Sequence, residues 1–142
     1  MFSKGLGEIF VIRVAGNVVD PIILGSIEYA VEHLHVPLIM ILGHSKCGAV
    51  TAACDDGDGG DSNIASIINA IKPAVKNIKS KKGKNIKKNN LVEWTIEENI
   101  KINAKKMLED SKIIREFVEQ EKVKIVLAQY DLYSGAVSII KD

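Results

Sequence analysis

Cysteine is scarce in this sequence: 142 residues contain two, Cys47 and Cys54, close together. A disulfide framework is not needed at this length, because a chain of this size buries one core without staples. Long hydrophobic runs are missing too. No apolar stretch approaches the roughly 20 residues that a membrane-spanning helix needs, and Met1–Gly5 lacks the apolar region of a secretory signal. Charge of one sign is also lacking. Lys and Arg number 19 against 18 Asp and Glu, a formal net charge of +1, which gives no global pull toward nucleic acid, a membrane surface or an acidic partner. The expected compartment is the reducing cytoplasm, where a cysteine near a histidine is more readily a metal ligand than half of a bridge.

What is present is an alternation of strand-like and helix-like segments. Glu8–Val14 is β-branched and aromatic with near-continuous apolar character, which predicts a strand covered on both faces. Asp20-Pro21 reads as a helix cap followed by proline at the first helical position. Ile23, Ile27, Ala30, Val31 and Leu34 then recur at helical spacing to about His35. Leu38–Leu42 is a second apolar strand, so the expected unit is strand–helix–strand with a parallel pair. Ala49–Cys54 reads as a short helix and Asp55–Asp61 as a loop. Ser62 can cap a helix over about 63–78. Lys79–Asn90 reads as loop or frayed helix end, and Leu91–Leu108 and Ser111–Gln120 as two further helices. Lys124–Tyr130 is a predicted strand, Tyr133-Ser134-Gly135 a turn, and Ala136–Ile140 a short last strand. The class is α/β, a single domain over 1–142 with a mostly parallel β-sheet flanked by helices.

The chemistry-bearing residues begin at His44 and Cys47. His44 lies just past the end of the Leu38–Leu42 strand and Cys47 opens the next helix, the place where parallel sheets gather reactive groups. A spacing of three across that turn lets an imidazole and a thiolate converge on one ion, and that pair suits zinc. Spacing alone leaves the other reading open, a capping histidine and a small buried cysteine. Cys54 is a poor further ligand. It lies two helical turns beyond Cys47, about 10 Å along the axis, whereas sulfurs sharing one zinc lie within about 5 Å.

Arg13-Val14-Ala15-Gly16-Asn17, Gly25–Val31, Gly43-His44-Ser45-Lys46-Cys47-Gly48-Ala49-Val50 and Tyr130–Val137 together resemble the successive motifs of β-class carbonic anhydrases. The resemblance covers nearly the whole chain in the right order. It implies a zinc lyase that interconverts carbon dioxide and bicarbonate, a homodimer or higher homo-oligomer with its pocket at a subunit interface. His44 and Cys47 match two of the family's three zinc ligands. Gly48 matches the glycine beside the metal, and Tyr29 and Phe10 match pocket-lining aromatics, with ordinary packing as the alternative for both rings.

The family's first zinc cysteine belongs to a Cys-x-Asp-x-Arg motif after an earlier strand, and no such motif occurs here. The resemblance places it ahead of Met1, together with the central strand of the sheet, whose loss is expected to leave a gap. Three readings follow: a carbonic anhydrase whose sequence here lacks that segment, a short paralogue acting as a binding or assembly subunit, and a related zinc hydrolase of sulfur analogues of carbon dioxide. Other motifs read as ordinary surface. Asp56 and Asp58 invite an EF-hand comparison, but Gly60 and Ile67 fall where oxygen ligands are required. Lys72–Lys88 holds eight lysines and no acid, yet has no arginine or interleaved aromatic, so a solvated face is expected rather than a nucleic-acid or membrane patch. His33 and His35 are expected on the surface.

Overall fold

The computed structural model describes residues 2–55, 60–83 and 85–141. After a single 3-10 turn at Ala15–Asn17 come α1 (Pro21–Glu32), β1 (Leu38–His44), α2 (Gly48–Cys54), α3 (Ile64–Lys82), α4 (Lys88–Asp110), α5 (Lys112–Glu119), β2 (Lys124–Tyr130) and β3 (Val137–Ile139). The sheet runs β1-β2-β3. β1 and β2 are parallel, in register from Leu38 opposite Lys124 to His44 opposite Tyr130. β3 turns back antiparallel, with Ala128 opposite Ile139.

Local chemistry sets several of these boundaries. Asp20 accepts a hydrogen bond from the Ile23 amide at 2.8 Å and Pro21 opens α1, a side-chain cap followed by a residue whose missing N–H costs nothing there. Ser111 caps α5 in the same way, accepting from the Ile114 amide at 3.1 Å. α3 outruns its expected end at Ile78. Lys79, Lys81 and Lys82 occupy its last turn, where positive charge meets the negative end of the helix dipole. It stops at Gly83, whose φ of 89° is costly for other residues. Asn63, not Ser62, stands at its cap position.

The expected strand at Glu8–Val14 does not form, and neither does the strand–helix–strand unit built on it. Residues 8–14 have no strand partner, and the parallel partner of β1 is β2, reached through four helices. β propensity reports fitness for a pleated surface, not the presence of a neighbour to pair with. Without one, Ile9, Phe10 and Val11 stand 44%, 46% and 65% exposed.

α4 is the central pillar of the core. Ile96, Ile100 and Met107 are almost wholly buried on it, and Ile71 of α3, Val31 of α1 and Ile114 of α5 pack into the same cluster. On β1, Ile39, Ile41 and Gly43 are buried while the alternate residues are not, so α4 covers one face and the other stays partly open. Three of the lysines serve the fold: Lys81 pairs with Glu98 at 3.0 Å, Lys88 pairs with Asp55, and the Lys82 ammonium lies 5.3 Å from the Trp94 ring centre. Asp56 and Asp58 lie outside the described residues. Among the described residues no helix is long and apolar enough to cross a membrane.

Candidate metal half-site

Because β1 and β2 run parallel, their carboxyl ends emerge together, and the chain turns there from His44 into α2. The Ser45 amide donates to the Tyr130 carbonyl at 2.9 Å, carrying the pairing one residue past the strands. The Ser45 hydroxyl accepts from the Leu132 amide at 2.9 Å, tying the turn to the loop after β2. Lys46 adopts φ 54°, and the chain turns there into Cys47, the cap position of α2. Asp131 braces the neighbouring turn. The Ser134 backbone N–H, the Ser134 hydroxyl and the Tyr133 N–H all donate to its carboxylate, which lies below the usual carboxylate range.

The imidazole of His44 is fixed by its own turn. Its Nδ1 lies 2.9 Å from the Ser45 carbonyl oxygen, and an acceptor there requires Nδ1 to carry the proton. The lone pair is then on Nε2. Metal-ligating histidines characteristically donate their other ring N–H to a carbonyl or carboxylate in this way. Cys47 is 8% exposed and carries no disulfide. It lines, together with His44, a small cavity of about 30 Å³, whose wall includes Asn17, Val50, Ile96 and Ile100. A larger open cleft of about 460 Å³, beside β3, contains neither residue.

An asparagine network absent from the sequence reading closes this cavity. Asn99 Nδ2 donates to the Gly16 carbonyl at 2.8 Å. Asn103 Oδ1 accepts from the Val19 amide at 3.0 Å, and Asn103 Nδ2 donates to the Asn99 carbonyl at 2.8 Å. Two buried polar residues four apart on α4 thus clamp the turn that carries Asn17. The only signal in the sequence is that both asparagines share the helical face of Ile96 and Ile100. The Nδ2 of Asn17 is buried without a hydrogen-bond partner.

The remaining candidates lie apart from the cavity wall. Gly48 begins α2 and is exposed, and a side chain there would project into open space. Phe10 lies on the unpaired segment. Tyr29, 52% exposed, stands on the outside of α1 with its ring 5.0 Å from that of His33. His33 and His35 are exposed. Cys54 ends α2, buried, with its Sγ 3.6 Å from the Thr95 hydroxyl, and burial pushes its thiol pKa up. Among the described residues no group of three or more His, Cys, Asp or Glu side chains is placed to hold a metal ion.

Residues 1–137 match the family model described as carbonic anhydrase. The chain belongs to the β-carbonic anhydrase family. Carbonic anhydrase of Mycolicibacterium smegmatis is 47% identical over 78 residues, covering 53% of this chain and 38% of that protein. Carbonic anhydrase 2 of Mycobacterium tuberculosis gives the same figures. The matched stretch therefore spans well under half the length of these curated relatives. Among solved structures, a Coccomyxa β-carbonic anhydrase superposes with a TM-score of 0.87 at 22% identity, covering 98% of this chain and 64% of that one. A tetrameric β-carbonic anhydrase from Sordaria macrospora gives 0.84 at 26% identity, covering 97% and 71%. The α/β architecture is thus the family's fold over most of this chain, with a small mixed sheet.

Proposed function

We propose that this chain carries two zinc ligands, His44 and Cys47, of a site for the reversible hydration of carbon dioxide. The observation that carries the reading is the Nδ1 contact to the Ser45 carbonyl, which leaves Nε2 as the lone pair of a residue sharing a cavity with Cys47. Imidazole nitrogen and thiolate are a borderline-soft donor set that suits zinc. The residues present fit the metal as two of its protein ligands. The third donor is not among the described residues, and the sequence contains no Cys-x-Asp-x-Arg.

Zinc, when bound, lowers the pKa of a coordinated water toward neutrality. The chain's own part is positional. Ser45 holds the imidazole in one tautomer, and Val50, Ile96 and Ile100 supply apolar walls that keep bulk water from competing for the donors. Self-association and a cytoplasmic location belong to the same reading, the latter supported by two free, buried cysteines.

The test is zinc content and carbon dioxide hydration of the 142-residue chain, with His44→Ala and Cys47→Ser. The expected result is zinc binding that each substitution abolishes, with hydration close to the buffer background because the donor set is one short. Zinc retained by both variants would sink the assignment. Stoichiometric zinc with vigorous hydration would show that the set is complete. The lack of a third donor placed beside His44 and Cys47 among the described residues favours a second reading, a binding or assembly role. Absence of zinc binding from a folded parent chain would select it.

A further inference from the structure

We propose that Asn17 is a positioning residue of this half-site, its side-chain amide donating to the Cys47 thiolate when a metal is bound. The inference rests on the zinc reading above. A buried N–H without an acceptor costs stability, and Asn17 Nδ2 is the one such side-chain atom among the described residues. It belongs to a residue lining the cavity of His44 and Cys47.

The polar groups around it are already engaged. Asn99 donates to Gly16 and accepts from Asn103, and the His44 Nδ1–H is directed at the Ser45 carbonyl. With the Nε2 lone pair committed to a metal and Asn99 Oδ1 already accepting from Asn103, the sulfur of Cys47 is the side-chain acceptor on the wall that no described hydrogen bond engages. A thiolate keeps further lone pairs after ligating one ion. A water molecule is the competing partner for Nδ2. The cavity is about the size of one; beyond Asn17, His44, Cys47 and Asn99 its lining is Gly16, Gly43, Val50, Ile96 and Ile100, so few groups there supply the two to four polar partners that a buried water needs.

The placement is held firmly. Asn17 adopts φ 52°, in the left-handed region where asparagine is tolerated. The carbonyl of Gly16 beside it is clamped by Asn99 from 83 positions away. The turn thus fixes this amide at the cavity wall in the metal-free chain, where it has no hydrogen-bond partner, the Cys47 sulfur included.

The experiment compares the parent chain with Asn17→Gly, chosen because glycine accepts the same positive φ without strain. Zinc affinity is measured by chelator competition, and the thiolate-to-metal charge-transfer band is followed with cobalt. Thermal melting is recorded without metal. The expected result is a metal-free melting temperature at or above that of the parent, since an unsatisfied donor has been removed. Zinc affinity is expected to fall about 10- to 100-fold, the usual cost of losing a partner that orients a ligand, and the cobalt band to move to lower energy as the thiolate loses its donor. Unchanged affinity and band would overturn the inference while leaving the zinc reading intact, and would assign the amide to water. A variant that melts lower or fails to fold without metal would overturn it in favour of a structural role. A parent chain that binds no zinc would overturn both.

Discussion

At the residue scale, Gly43 shows how closely the site is built into the core. A Cβ at this position would lie 2.5 Å from Ile100 Cδ1 and 2.9 Å from its Cγ1. Ile100 is 1% exposed and packed in the core cluster, so it can give way only toward the small cavity that it and Gly43 line. Added volume in a packed interior typically costs about 1–3 kcal/mol. Gly43→Ala is therefore expected to lower stability by about that much, read as a lower urea midpoint at unchanged m-value. A variant as stable as the parent would mean that α4 yields at Ile100. Gly43 also lies directly before His44 and lines the same cavity, so the close approach of α4 that excludes a methyl group is the approach that closes the wall behind His44 and Cys47.

At the element scale, the segment before Gly16 is the weak part of the fold. Its apolar residues bury little, and among the described residues no backbone hydrogen bond involves residues 9–13. Hydrogen exchange should separate it from the rest. The amides of residues 9–13 should exchange at nearly the unprotected rate, whereas those of β2, paired on both sides, and of central α4 should be slowest. Protection at 9–13 comparable to that of β2 would show that a partner strand covers the segment. Legibility in the sequence divides along the same line. Strand β2 at Lys124–Tyr130, the Asp20-Pro21 start of α1 and the Ser111 start of α5 follow from neighbours within a few residues, so they were readable. That His44 and Cys47 lie on one cavity is readable for the same reason, since a turn of three residues carries both. Glu8–Val14 has strand composition, but a ladder depends on what lies beside it, and composition is silent on that. The Asn99–Gly16 and Asn103–Val19 bonds join residues more than 80 positions apart. No local spacing encodes them, and the orphaned amide of Asn17 is visible only once they are made.

At the scale of the whole molecule, the exposed area argues for a partner. The chain exposes 9297 Å², against about 7,200 Å² for a compact monomer of its mass. The excess exceeds the roughly 800 Å² that each side of a standard protein interface buries. Much of what is exposed near the amino end is apolar: Leu6, Ile9, Phe10 and Val11 on the leading segment, and Ile22 and Tyr29 on α1. Exposed apolar area on this scale favours being covered, and the near-neutral net charge of +1 offers little repulsion between copies. Sedimentation velocity in the range of tens of micromolar should therefore show a dimer or larger species rather than the 15.5 kDa monomer. Leu6→Lys with Val11→Lys should shift that distribution toward monomer, while changing the stability of the monomer by less than about 0.5 kcal/mol, because neither side chain belongs to the core. A parent chain that stays monomeric across the range would refute association through this face. Association that survives both lysines, with the monomer's stability unchanged, would move the contact elsewhere, to the uncovered edge of β1, where a strand has a neighbour on one side only.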